Sequence, residues 1–333
     1  MAAGGLVACA ASASCASLKE AAPADPTDAA ATDGGPIGNG DGEGGTSTNP
    51  STDGGAGNDA AGGGGKGNGD PRWASWPLPA DAPPTSSYTA MNAGADGAII
   101  IDNVTGLGWQ DAVPTTMLDF DGATAYCDAL VYDGQADWRL PTRIEAISIM
   151  SFQPTFDGSS VAGSAFSDVP GAQCFWTASR DPQSTMSAFA LNIATVSAMQ
   201  TSSTCAARCV RGGPPLGAPV AKQYTITVDT VTDPTTGLVW EKSPPQTEGT
   251  LAAADARCKA LVLGGRPMRL PGVKELSSIV DETKHGPASA GVFGDYSVTM
   301  FTSNPEWKVD FTYGSTYQGP TGSSYWSRCV GGP

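Results

Sequence analysis

The feature that most constrains this chain is a repeat inside it. Thr105-Gly106-Leu107-Gly108-Trp109-Gln110 returns as Thr236-Gly237-Leu238-Val239-Trp240-Glu241, and Cys127 returns as Cys258, both 131 residues later. Arg139-Leu140-Pro141, Glu145 and Ile149 return as Arg269-Leu270-Pro271, Glu275 and Ile279 at an offset of 130. Trp176-Thr177 becomes Phe301-Thr302 at 125, and Arg208-Cys209-Val210 becomes Arg328-Cys329-Val330 at 120. A steadily shrinking offset is what loop deletions in one of two homologous copies produce, so the chain holds one domain twice. The boundaries fall at 86–213 and 222–333, joined by a proline-rich linker at 214–221.

The same landmarks predict the elements. Asp102-Asn103-Val104-Thr105-Gly106 and Asp233-Pro234-Thr235-Thr236-Gly237 have turn composition, with glycine free to take positive φ. They lie between Ile99-Ile100-Ile101, or Tyr224-Thr225-Ile226-Thr227-Val228, and a Leu-x-Trp strand. Ala123, Cys127 and Leu130, like Ala254, Cys258 and Leu261, fall at i, i+4 and i+7, which predicts a helix with its cysteine facing the core. Thr142-Arg143-Ile144-Glu145 is a capping box opening a second helix with Ile144 and Ile147 inward; Gly272 takes the cap position in the second copy and weakens that start. Phe189, Leu191 and Ile193, and then Trp307, Val309, Phe311 and Tyr313, alternate as strands that each bury one face. The expected order in each copy is a strand hairpin, two helices, then a β-rich half.

The duplication also selects a cysteine pairing. Six of the eight cysteines lie in the repeats, and six cysteines allow 15 connectivities. The second copy holds only Cys258 and Cys329, so these pair; Cys127 and Cys209 pair by analogy, which leaves Cys174 with Cys205. Disulfides imply an oxidising compartment.

Residues 1–15 are read as an export signal, in which Leu6-Val7-Ala8-Cys9 resembles the lipobox of bacterial lipoproteins, with Cys9 the acylated residue. Residues 16–85 follow as a tether rich in Gly, Ala, Asp and Pro that cannot bury enough apolar surface to order itself. The chain carries a formal net charge of −15. Such a surface repels nucleic acid and sulfated polymers and leaves neutral glycans, proteins and cations open. The expected location is the cell envelope, lipid-anchored at the membrane surface or secreted.

Taken in order, Thr-Gly-Leu-x-Trp, a helix with Cys, Arg-Leu-Pro, Glu and Ile, a Trp-Thr strand and the closing Arg-Cys-Val resemble the Lcl C-terminal domain family, over nearly all of both repeats. The closing strand is also similar to that of C-type-lectin-like and sulfatase-modifying-factor-like domains. The resemblance implies an α+β fold, two tandem lectin-like domains each closed by a disulfide. It further implies a secreted or surface domain, in one case an adhesin module for sulfated glycosaminoglycans. Copy two departs from the pattern where Met268 stands in place of Trp138.

Catalysis needs a positioned nucleophile, base or metal. His285, the sole histidine, sits in a polar Gly/Pro-flanked segment and reads as a solvated loop residue, so the chain is read as non-catalytic, without cofactor. Formylglycine-generating enzymes offer the same fold with reactive cysteines, and Cys174 with Cys205 would be the pair left for that chemistry. A calcium site would draw on Asp157, Asp168 and Asp181, which read better as solvated loop acids, and Gln153-Pro154-Thr155 lacks the carboxylate a lectin calcium motif requires. Arg139 and Arg269 suit a ligand carboxylate or, more simply, a local acid. Sugar-stacking aromatics cluster late in copy two: alternation puts Trp307 and Tyr313 on the buried face, leaving Tyr317 and Tyr325, with Trp326 beside them, as the candidate ligand platform. The expected function is recognition of an extracellular glycan or glycoprotein; the alternative is a structural envelope lipoprotein that makes protein contacts and has no sugar site.

Overall fold

The turns that open each repeat hold as predicted in the computed structural model, which describes residues 74–94, 97–152, 165–167, 174–192, 195–213 and 223–332. Asp102 Oδ1 accepts from the Val104 amide at 2.9 Å, and Gly106, at φ 73°, donates its N–H to the Asp102 carbonyl. Asp233 and Gly237 (φ 72°) repeat the device. Cys9, the export signal, residues 16–73 of the tether, Asp157, Asp168, the 153–155 segment and the 214–221 linker lie outside the described residues.

In the first repeat β1 (Tyr88–Gly94), β2 (Gly97–Asp102) and β3 (Gly108–Gln110) lead to α1 (Phe120–Asp128) and α2 (Arg143–Ile149). Then come β4 (Cys174–Arg180), β5 (Ser187–Asn192), β6 (Thr195–Gln200) and β7 (Val210–Arg211). The second repeat runs β8 (Thr225–Ile226), β9 (Thr230–Thr232), β10 (Val239–Glu241), α3 (Leu251–Lys259) and a small hairpin of β11 (Val262–Leu263) with β12 (Arg266–Pro267). It continues with α4 (Val273–Ser277), β13 (Thr299–Phe301), β14 (Trp307–Asp310), β15 (Ser315–Gln318) and β16 (Val330–Gly331). Sheets ordered β1-β2-β3-β7 and β8-β9-β10-β16 are the same antiparallel unit in the two copies. One expectation shifts: the strand entering the Asp233 turn is β9, and Tyr224–Val228 lies outside it. Thr227 Oγ1 accepts from the Thr230 amide at 3.0 Å, folding 227–230 into a turn that leaves Val228 92 % exposed.

The closing Arg-Cys-Val explains itself structurally. Cys127–Cys209 and Cys258–Cys329 join the first helix of each repeat to its last strand, and Cys174–Cys205 is the extra bridge of the first repeat. The buried Arg208 donates to the carbonyls of Gln110 and Asp111, and the buried Arg328 to those of Glu241, Lys242 and Phe293, so each guanidinium ties the last strand to the end of the hairpin. Arg257, on α3, makes a bidentate pair with Glu241 at 2.7 and 3.0 Å where the first copy holds Tyr126 and Gln110 at 2.6 Å. One ion pair has replaced one neutral pair as a unit.

The two repeats share a sheet. Its order is β13-β14-β15-β6-β5-β4, with Thr316 opposite Val196 and Tyr317 opposite Thr195 where the copies meet. Equivalent strands thus pair antiparallel at the middle, the arrangement a local twofold axis produces. Contacts across the axis repeat: Ser179 Oγ donates to Glu282 Oε1 at 2.7 Å, and Asn304 Nδ2, its counterpart, donates to the Phe152 carbonyl, also at 2.7 Å. This accounts for burial beyond the one-faced strands and helices predicted. Ser187–Leu191 of β5 and every residue of α2 are buried, because each has its own core on one side and the sister repeat on the other.

The last part of the assigned tether is not a tether. Ala74 and Trp76 are buried, and Leu78 packs against the cores of both repeats, so the folded part begins by residue 74 and the boundary at 85 is too late. These apolar side chains have a groove between repeats to fill, which composition alone does not reveal. Asp81 completes the docking: it accepts from the amides of Val273 (2.7 Å) and Lys274 (2.9 Å), while its carbonyl accepts from the Phe152 amide at 2.9 Å. The cap that Gly272 lacks is therefore supplied from outside the repeat. Glycine is needed there, since a Cβ at 272 would stand 2.9 Å from Asp81 Oδ2. Asp81→Ala should cost about 1–2 kcal/mol in urea denaturation, as lost N-caps do. Gly272→Ala should cost about as much by displacing the same carboxylate.

Candidate functional site

The outward face of the second repeat carries the candidate platform. Thr316 faces the interior, so Tyr317 points outward and stands opposite Lys308 of β14. Tyr325 arrives from the chain beyond β15, held by paired hydrogen bonds with Gly249 at 3.1 Å each way. Its ring meets Phe301 edge-on at 5.2 Å. The Lys308 ammonium lies 5.5 Å from both rings and donates to the Pro305 carbonyl at 2.7 Å. Burial of this amine depresses its pKa, and burial raises that of the Tyr317 phenol. Gly319 leaves room for both tyrosines: a Cβ there would sit 3.1 Å from Tyr317 Cε2 and 3.3 Å from the Tyr325 hydroxyl. Tyr317 and Tyr325 are half-buried, each with part of its surface in solvent.

Two expectations about the aromatics change. Trp326 is not part of the platform: successive residues of an extended chain face opposite sides, and Trp326 packs against Tyr296 at 5.7 Å beside the inner core. Tyr313 is 59 % exposed, because β14 ends at Asp310 and the chain turns; Trp307, Val309 and Phe311 are buried as the alternation requires. Sequence reasoning missed Lys308, Gly319 and Thr299, whose hydroxyl lies 3.5 Å from that of Tyr317. Alternation does place Lys308 outward between Trp307 and Val309, but its neighbours belong to strands whose register the sequence does not carry.

The equivalent place in the first repeat is instructive. Cys174 corresponds to Thr299 and Cys205 to Tyr325, so the extra disulfide stands where the second copy holds its tyrosine and threonine. Cys205 is fully buried and Cys174 nearly so. Arg139 and Arg269 are both committed to local acids, bidentate to Glu145 at 2.7 and 2.6 Å and to Glu275 at 2.7 Å twice. Asp181 Oδ1 accepts from the Gln183 amide at 3.0 Å within its own turn. His285 meets the Tyr313 ring edge at 5.0 Å. Among the described residues no group of three or more His, Cys, Asp or Glu side chains could hold a metal, and no helix is long and apolar enough to cross a membrane.

A family model, the Lcl C-terminal domain, matches residues 98–211 and again residues 229–331. Comparison with curated proteins and with solved structures finds no match.

Proposed function

Because the chain belongs to the Lcl C-terminal domain family, and carries that domain twice, we propose that it is a non-catalytic recognition protein of the cell envelope that binds a neutral glycan or glycoprotein. Each repeat is read as built on a lectin-like plan, and Cys9 as the acylated residue that anchors the chain at the membrane surface. The three disulfides support export.

The observation that carries the reading is the Tyr317–Tyr325 pair, two half-buried aromatics with polar edges, set on a disulfide-clamped scaffold with a buried amine behind them. Aromatic faces stack on the C–H faces of sugars while phenol hydroxyls meet sugar hydroxyls. The second repeat is itself nearly neutral, with 11 acidic and 10 basic residues between 222 and 333, so it offers no excess of basic charge to a sulfated ligand. The test is a glycan array with the full chain, followed by titration of its best ligand. Replacing Tyr317 and Tyr325 together by alanine should weaken that ligand at least about tenfold, or about 1.4 kcal/mol, in a chain whose circular dichroism shows the fold retained. If every glycan is silent, the chain is instead an envelope component that contacts proteins.

A further inference from the structure

The second repeat keeps open a cleft that the first repeat fills. In the first repeat the Arg180 guanidinium lies 4.2 Å over the Phe120 ring and 3.6 Å from the Asp121 carboxylate, closing the space between α1 and the end of β4. The corresponding residues of the second repeat are Pro305, Leu251 and Ala252, all smaller. A groove of about 430 Å³ remains there, floored by Leu251 and the buried Leu270, with Ser303 and Asp255 at its rim. Ser303 also lines an adjoining recess of about 250 Å³ that contains the Arg269–Glu275 pair. The first-repeat counterpart of that pair is covered. Arg139 is 13 % exposed against 45 % for Arg269, and Gly213 lies so close that a Cβ there would be 3.3 Å from the Arg139 guanidinium.

The geometry points to this cleft as the principal sugar site of the chain, taking one N-acetylated neutral oligosaccharide per molecule; the inference rests on the glycan-recognition reading above. The volume suits one or two sugar units. An apolar floor rewards a methyl group, which an acetamido substituent supplies and a plain hydroxyl does not. Around it the Ser303 hydroxyl, the Asp255 carboxylate, which Lys259 pairs at 2.7 Å through Oδ2 only, and the exposed side of Arg269 offer donors and acceptors to sugar hydroxyls and the amide. Pro305 forms the wall toward the tyrosines, because its carbonyl receives the Lys308 amine that lies against the Tyr325 ring, so an oligosaccharide leaving the groove meets the aromatic pair next.

The experiment titrates the full chain with matched sugars: oligomers of N-acetylglucosamine against those of glucose, and N-acetylgalactosamine against galactose. At least one acetylated member should bind one per chain and at least tenfold more tightly than its parent. Installing the first-repeat residues, Leu251→Phe with Ala252→Asp and Pro305→Arg, should abolish that preference while the melting temperature holds. Pro305→Arg alone, on an exposed turn, serves if the triple variant does not fold. Binding of parent and acetylated sugars alike, or acetyl-selective binding untouched by filling the groove, overturns the inference and leaves the glycan reading standing. Silence toward these sugars and across the glycan array overturns both.

Discussion

Replacing Cys258 and Cys329 together by alanine is expected to remove about 4 kcal/mol of stability, as measured by guanidinium denaturation of the oxidised chain. The bridge closes a 71-residue separation, and in the chain-entropy model the unfolded state gains that much when such a loop is released. Both cysteines are fully buried between α3 and the last strand, so loosened packing adds to the loss. The Cys174–Cys205 bridge spans only 31 residues and should matter somewhat less, about 3.5 kcal/mol by the same relation. Because the repeats share one sheet and fall in one compact unit, the intact chain should unfold in a single transition. Two resolved transitions, with only the second shifted by the substitution, would show that the copies are energetically separate and would sink the shared-sheet account.

The second large effect concerns pH. Lys274 is fully buried between the repeats, donating to the Ser148 carbonyl at 2.6 Å, with Asp81 and Asp102 the carboxylates whose charge reaches it. Burial pulls its pKa down to about 7 against 10.5 for a free lysine, and the carboxylates only partly offset this. Between those two values the unfolded chain holds a proton that the folded chain has released, so stability rises with pH across that window and falls as pH drops toward 7. The slope approaches about 1.4 kcal/mol per pH unit at most. Lys308, depressed by burial as well, contributes in the same sense. Lys274→Met should flatten most of the rise while leaving stability at pH 7 equal or higher, since an apolar side chain of similar volume needs no desolvation of charge. A slope between pH 7.5 and 9.5 that survives the substitution would show that Lys274 is not its source.

Much of the local structure was legible in the sequence because it depends on neighbours within one repeat. The Asp-to-Gly turns, the i, i+4, i+7 helices with inward cysteines, the Thr142–Glu145 box and the symmetric pairing of sulfurs all follow from short spacings that occur twice. What could not be read depends on the sister copy. Nothing in Ala74–Asp81 announces that Leu78 has two cores to join, or that its carboxylate neighbour has a helix to cap 192 residues away. Gly272 was legible as a missing cap but not as the space through which another residue reaches in. The platform was half legible: composition placed Tyr317 and Tyr325 together, whereas the exclusion of Trp326 and the turn at Tyr313 required strand ends and register. The open groove needed the most, since it is visible only when the Arg180 and Phe120 that close one copy are set beside the Pro305 and Leu251 of the other.

The local twofold relation is broken in a way that constrains how the copies can be combined. On one side of the axis Arg143 Nη2 donates to Thr316 Oγ1 at 3.1 Å, and Ser277 Oγ lies 3.1 Å from the same hydroxyl. On the other side the counterparts are Val273, Val196 and Ile147, packed in one apolar cluster. A chimaera of two first copies would set a buried guanidinium against Val196 twice over, with no hydroxyl to receive it. One made of two second copies would place Val273 against Thr316 on both flanks, leaving that hydroxyl with Ser277 alone. The dependence is therefore one-sided: the first half needs a hydroxyl that only its sister supplies, while the second half carries its own partner for that hydroxyl.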